Sequence, residues 1–160
     1  MLSKILNTPF QNILIIQHSK GAPGLRYFGI GPSGMPCRGL LQLKSLLDKN
    51  APWAKNRSIK NLKRMLKNSD VIISAWIGSN LIGFSRATSD TIFRATIWDV
   101  VVDSKFRKCG VGKMLVNKTL NHKALTEVEK IYLMTTMQVE FYKKCGFSIV
   151  KTNKLMIMNF

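Results

Sequence analysis

The 160-residue chain carries 46% apolar and 21% charged residues, an ordinary globular balance, with Gly and Pro too few for a collagenous or low-complexity chain. Its 25 Lys plus Arg against 8 Asp plus Glu give a formal net charge of +17, which favours polyanions: nucleic acid, a ribosome, an acidic membrane surface or a phosphate-rich cofactor. Polar or Gly positions break every apolar run well short of the roughly 20 residues a membrane helix needs, so no membrane span is expected.

Residues 1–37 read as an irregular segment with a candidate first strand at Ile13–Ile16 and a Gly/Pro-rich stretch from Gly21 to Pro36. The Ile13–Ile16 run is too short for the core of a secretory signal. Gly29-Ile30-Gly31-Pro32-Ser33-Gly34 matches GxGxxG literally, but Pro32 and Pro36 hinder a helix from starting there and it reads as a plain loop. From Arg38 the pattern is helical, with Leu40, Leu43 and Leu47 on one face until Asn50, Pro52 and Trp53 break it. A second helix starts behind Ser58, with Ile59, Leu62 and Leu66 inward and Lys60, Lys63, Arg64 and Lys67 outward. These cations, with Lys55 and Arg57, read as a solvated helix face.

Val71–Ile77 and Leu81–Thr88 flank Gly78-Ser79-Asn80 as a β-hairpin. Thr91–Asp103 is the longest β-like run, apolar on both faces in its second half apart from Asp99, and is expected to be a central fourth strand. The next helix would bury Val111, Met114, Leu115 and later Leu125. Then come a strand at Lys130–Thr135, a short helix at Gln138–Lys144 closed by Gly146, and strands at Phe147–Lys151 and Leu155–Asn159. Helices inserted in a mixed, mostly antiparallel sheet make a single α+β domain. His18 and His122 lie in no motif and are expected at the surface. Cys37, Cys109 and Cys145 form no CxxC pair and have no histidine at metal-ligand spacing, which points to a reducing compartment and no metal.

Between the fourth strand and the following helix lies Arg107-Lys108-Cys109-Gly110-Val111-Gly112-Lys113. Free N–H groups at such a turn, together with the helix dipole, suit a pyrophosphate, and Arg107, Lys108 and Lys113 add charge around it. A Walker loop would need Gly in place of Arg107 and Ser or Thr in place of Met114; a dinucleotide fingerprint would need Gly in place of Leu115. An ordinary glycine turn ahead of an amphipathic helix fits the segment equally well.

Further on, Glu140-Phe141-Tyr142-Lys143-Lys144-Cys145-Gly146-Phe147 is a short helix closing on Gly and an aromatic strand start. The order strand, R-x-x-G-x-G, helix, strand, F-Y-x-x-x-G-F resembles the GNAT superfamily of acetyl-CoA-dependent N-acetyltransferases over residues 38–160. QLKSLL, PWAKNRS, LIGFSRATSD and ATIWDVVVD are similar to its plastid-encoded and cyanobacterial branch. The resemblance implies that main-chain groups of Val100, Val101 and Val102 pair with the pantetheine arm of acetyl-CoA. It also implies that the amides from Lys108 through Cys109, Gly110, Val111 and Gly112 to Lys113 hold the pyrophosphate, and that Tyr142 protonates the leaving thiolate. A backbone amide at a splayed or bulged fourth strand, at Val100 or Val101, would supply the oxyanion donor. Thr96 stands where relatives often carry a general-base Glu, Thr135 where many carry an Asn, and Ser104 where a Pro is common. Asp99, the nearest carboxylate, is read either as the base or as a structural partner of Arg86 or Arg94.

The implied activity is acetyl transfer from acetyl-CoA, without a metal, to a primary amine by direct attack in a ternary complex. A protein N-terminus or a lysine is favoured over a small, serotonin-type arylalkylamine. A non-catalytic RNA- or ribosome-binding module on the same fold is the rival, and weak RNA contact through basic helices 38–67 is the expected secondary interaction. Lys, Asn and Ile exceed a quarter of the chain, as AT-rich codons favour. With the resemblance, this implies an organelle-encoded protein of the plastid stroma, or else a bacterial cytoplasmic one.

Overall fold

A computed structural model describes residues 12–159. Five strands form one sheet in the order β1-β2-β3-β4-β5. They are β1 (Ile13–Gln17), β2 (Val71–Ile77), β3 (Asn80–Ser89), β4 (Arg94–Val102) and β5 (Lys130–Tyr132). The first four are antiparallel in sequence, and β5 joins β4 in parallel. Helices α1 (Gly39–Asn50), α2 (Ile59–Lys67), α3 (Val111–Leu120) and α4 (Val139–Lys144) complete an α+β unit. No helix among the described residues is long and apolar enough to cross a membrane.

Each helix pair owns one face of the sheet. Leu43, Leu47, Leu62 and Leu66 from α1 and α2 pack with Ile72, Trp76, Phe84 and Val101. Val111 and Leu115 from α3 pack with Ile73, Ala75, Ile82, Ala95 and Ile97 on the other. Burying a leucine fully is worth about 2 kcal/mol, so the two layers hold the strands between them like a filling. The α2 start is fixed locally, because the Ser58 hydroxyl accepts from the Asn61 N–H at 3.1 Å. Residues 12–37 contribute the edge strand β1 and two fully buried side chains, Ala22 and Leu25.

Several expectations change. No strand forms at 147–151 or 155–159, where Ile149, Val150, Leu155, Met156, Ile157 and Met158 are exposed. Extended propensity makes a strand only where a neighbour supplies a ladder, and β5 offers three residues. β4 starts at Arg94 instead of Thr91 because the Asp90 carboxylate accepts from the Ile92, Phe93 and Arg94 N–H groups and holds them in a turn. Met114 is exposed, since the α3 face that meets the sheet is carried by Val111, Leu115, Val116 and Thr119. His122 is not a surface residue, and His18 is half-buried. His122 is buried and its Nδ1 accepts from the Ala124 N–H at 3.1 Å; the His18 Nε2 lies 2.7 Å from the Ser74 hydroxyl under the sheet edge.

Candidate active site

The β4–α3 turn is built to leave donors unpaired. After Val102, Asp103 accepts from the Lys105 N–H at 2.9 Å and opens a short turn at Ser104–Phe106. The Asn50 side chain at the end of α1 accepts from the Ser104 N–H at 2.9 Å and pins the turn from the other side. Lys108 (φ 62°) and Gly110 (φ 82°) then take left-handed conformations that swing the chain into α3. The Met114 N–H is the first to bond back, to the Gly110 carbonyl at 3.0 Å. The N–H groups from Lys108 to Lys113 precede that bond and donate to no backbone carbonyl among the described residues. Arg107, Lys108 and Lys113 are exposed around them and meet no carboxylate among the described residues. Cys109 is half-buried, its thiol donating to the Arg107 carbonyl at 3.2 Å.

The two glycines of this turn do different work. Gly110 faces open space, so its role is conformational. Gly112 sits under α4, where a Cβ would stand 3.3 Å from the Phe141 ring.

β4 is bulged. Arg86 pairs with Trp98 and Phe84 with Val101, so Asp99 and Val100 together oppose Ser85, and Asp99 adopts φ 51°. The extra residue breaks the alternation. Ile97 and Val100 pack on the α3 side, whereas Trp98, Asp99 and Val101 lie toward α1 and α2. On its other edge β4 pairs with β5 only from Arg94–Lys130 to Thr96–Tyr132, so its backbone from Ile97 to Val102 has no strand neighbour on that side. The sheet therefore splits beside the bulge, and the split runs toward the α3 N-terminus. Val100 and Val102 are half-buried along it, and Val101 is buried.

Asp99 has its side chain 4% exposed and every near neighbour is a donor. The Trp53 indole donates to Oδ1 at 3.1 Å, and Arg57 and Arg86 donate to Oδ2 at 2.9 and 2.7 Å. Burial alone would raise its pKa; the hydrogen bonds and charges of Arg57 and Arg86 outweigh that and hold the carboxyl below its ordinary value. Arg94 is bonded instead to Glu129 at 2.9 Å. Sequence reading missed Trp53 and Arg57, which lie in the loop between α1 and α2. The available signal was that Arg57 precedes the Ser58 cap and so cannot belong to the outer face of α2.

Tyr142 on α4 sits edge-on to Phe141 (4.9 Å between centroids) and Phe147 (6.0 Å). Burial pushes its phenol up to about 12, with the nearby Cys145 adding to the shift. Thr135, where relatives often carry Asn, accepts from the Gln138 N–H at 3.1 Å and supports the entry to α4. No three His, Cys, Asp or Glu side chains among the described residues converge as a metal site.

Residues 40–147 match the model of the Acetyltransferase (GNAT) family. An uncharacterized N-acetyltransferase ycf52 of Pyropia yezoensis is 42% identical over 113 residues, 68% of this chain and 64% of that protein. A GCN5-related N-acetyltransferase 2, chloroplastic, of Arabidopsis thaliana is 46% identical over 68 residues, 42% of this chain and 26% of that one. The chain thus spans less than two thirds of the length of the curated relatives it matches. A putative acetyltransferase of the GNAT family from Xanthomonas campestris superposes with a TM-score of 0.70 at 18% identity, covering 93% of both chains, and so shares the fold.

Proposed function

The chain belongs to the GNAT acetyltransferase family, in its plastid and cyanobacterial branch, and from that premise we propose that it moves the acetyl group of acetyl-CoA onto a primary amine of a protein, at an N-terminus or a lysine, by direct attack in a ternary complex. One observation carries the reading: the bulge, the unpaired β4 edge and an α3 N-terminus with undonated N–H groups all meet at the end of one strand.

The residues present fit acetyl-CoA. The amides from Lys108 to Lys113, with Arg107, Lys108 and Lys113 around them, suit a diphosphate at a helix N-terminus. The edge of Val100, Val101 and Val102 suits the amide groups of a pantetheine arm, as it would an added strand. The cosubstrate supplies an activated acetyl thioester. The chain supplies the rest. A backbone N–H of the bulged strand, at Val100 or Val101, is the donor for the acetyl oxygen as it gains charge. The new C–N bond forms as the C–S bond breaks, so the nitrogen must lose one proton and the sulfur gain one. Tyr142 stays protonated far above neutrality, and its hydroxyl bonds to no group among the described residues. A phenol near pKa 12 gives its proton to a thiolate of conjugate-acid pKa about 8.5 only in concert with reprotonation from the attacking nitrogen, which makes Tyr142 a relay.

Calorimetric titration with acetyl-CoA, followed by thiol release over peptides and arylalkylamines, tests the reading. Absence of binding at low salt overturns it in favour of an RNA-binding module. Tyr142→Phe is expected to lower kcat about 100-fold while leaving acetyl-CoA affinity nearly unchanged; undiminished turnover removes Tyr142 from the proton path. The outer face of α2 favours a weak secondary contact with RNA, since Lys60, Lys63, Arg64 and Lys67 are all exposed and none pairs with a carboxylate among the described residues. The chloroplastic relative supports a plastid location, and we take the stroma as the compartment, with bacterial cytoplasm as its counterpart.

A further inference from the structure

Resting on the acetyl-transfer reading, we infer that the acceptor is an α-amine, the N-terminus of a protein or peptide whose next residues are acidic or neutral, and that lysines in basic tails are rejected. Two independent features of the cleft carry this: no carboxylate or imidazole on its acceptor side is free to act as a base, and its acceptor-side rim is cationic.

All eight side-chain carboxylates and both imidazoles of the sequence lie within residues 12–159. Three carboxylates stand near the split in the sheet. Asp99 is held by two guanidinium groups and an indole N–H. Asp103 caps the turn that follows β4, and Glu140 is paired with Lys143 at 2.7 Å. Asp90 closes the β3–β4 turn at the far end of β4, and Glu127 and Glu129 precede β5 at that same end. Asp48 and Asp70 are paired with Lys44 and Lys20. His18 follows β1, at the opposite edge of the sheet, and His122 lies beyond the C-terminal end of α3. Among carboxylates and imidazoles, an ammonium group entering the cleft therefore meets only the turn-capping Asp103 and the Lys143-paired Glu140, neither on the acceptor side, and the amine is expected to arrive neutral. An α-amine of pKa about 7.7–8.0 is neutral in large part near pH 8, whereas a lysine of pKa about 10.4 is neutral to less than about 1%.

The charge of the rim selects further. The α3 face of the split is occupied by the phosphate-binding turn, which leaves the α1/α2 face for the acceptor. That face is bounded by Trp53, 63% exposed, and by Arg57, both bonded to Asp99 beside the bulge. Asp99 is one carboxylate against two guanidinium groups, so the cluster keeps a net positive charge. With its N–H tied to Asp99, the Trp53 ring is held in place as an apolar wall for the first side chain of the acceptor. Acidic residues after the reacting amine meet the net positive charge of the cluster of Arg57, Asp99 and Arg86 favourably; Lys or Arg there are repelled by it.

The test is a matched peptide series read as kcat/KM by thiol release: free N-termini followed by two Glu, two Gly or two Lys; N-blocked peptides with one internal Lys in acidic or basic surroundings; and serotonin. Acidic N-termini are expected to exceed basic ones by about tenfold at low salt, with the gap closing as salt rises, and blocked lysine peptides to trail N-terminal ones by about 100-fold at about pH 8, the ratio of their neutral fractions. Arg57→Gln should narrow the acidic-to-basic ratio and Arg57→Lys should retain it. A basic or lysine peptide that matches the acidic N-terminus, a ratio indifferent to salt, or serotonin surpassing every peptide overturns the inference. Acetyl-CoA binding with turnover on none of the peptides overturns the acceptor assignment alone; failure to bind acetyl-CoA removes the acetyl-transfer reading beneath it.

Discussion

The two faces of the sheet meet the β4 bulge in opposite ways. On the α1/α2 face every polar atom near the bulge has a partner: Asp99 takes three donors, and farther along the same face the Ser74 hydroxyl joins the His18 Nε2 and the Trp76 indole N–H, each at 2.7 Å. On the α3 face a run of N–H groups and three cations are left with no partner among the described residues. Buried polar groups are expensive unless satisfied, so a satisfied cluster is read as architecture and an exposed, unsatisfied one as a place for a ligand. Removal of Asp99 from the first face should therefore act on stability, and substitutions on the second face on acetyl-CoA.

The strongest test removes Asp99. Asp99→Ala leaves two partly buried guanidinium groups facing each other and is expected to cost about 4 kcal/mol, measured as a fall in the urea midpoint. An unchanged midpoint would mean that the cluster is not architecture and would reopen Asp99 as the base. Next in size is acid sensitivity through His18. Burial lowers its pKa to about 4 from the 6.5 of the unfolded chain, so folding excludes a proton that the unfolded state accepts between those values. The stabilisation is complete above pH 6.5 and is lost as pH falls through 4, on the order of 3 kcal/mol in all. Urea titrations across that window should show the loss in the wild type and a smaller one in His18→Gln.

What could be read from the sequence follows the same division. The turn at Arg107–Lys113 was legible because its signals are local: a glycine able to take a positive φ, an amphipathic helix start and adjacent cations. The Ser58 cap and the hairpin at Gly78-Ser79-Asn80 are local in the same sense. The Asp99 cluster was half legible. Arg86 lies across a strand pair, so it was within reach of the argument, but Arg57 is 42 residues away and meets Asp99 only because α1 and α2 pack over the sheet. The alternation Ile97, Asp99, Val101 reads as one face of a regular strand, and the bulge that separates Ile97 from the others leaves no mark in residue type. The missing C-terminal strands fail for a related reason, since alternating apolar residues specify a face but not a neighbour.

On the α3 face, Gly110→Asp should weaken acetyl-CoA by at least about tenfold, through negative charge at the anion site and the strain of a side chain at φ 82°. Calorimetry gives the affinity, and the unfolding free energy from urea titration should fall by only about 1 kcal/mol, because a Cβ at Gly110 meets no atom within 4 Å. A large loss of stability with intact affinity would reverse the assignment of the two faces.

The smallest effect distinguishes the two glycines of the turn. Gly112→Ala gains up to about 1 kcal/mol of helix propensity but sets a methyl 3.3 Å from Phe141, so the two terms nearly cancel in global stability. Relief of the contact must come from Phe141, whose ring is edge-on to Tyr142 at 4.9 Å, and any shift is passed to the phenol. The expected result is a melting temperature within a few degrees of the wild type, acetyl-CoA affinity changed by no more than about twofold, and kcat reduced several-fold. If affinity fell and kcat held, Gly112 would be serving the approach of the phosphates, with its contact to α4 incidental, and the two glycines would share one role.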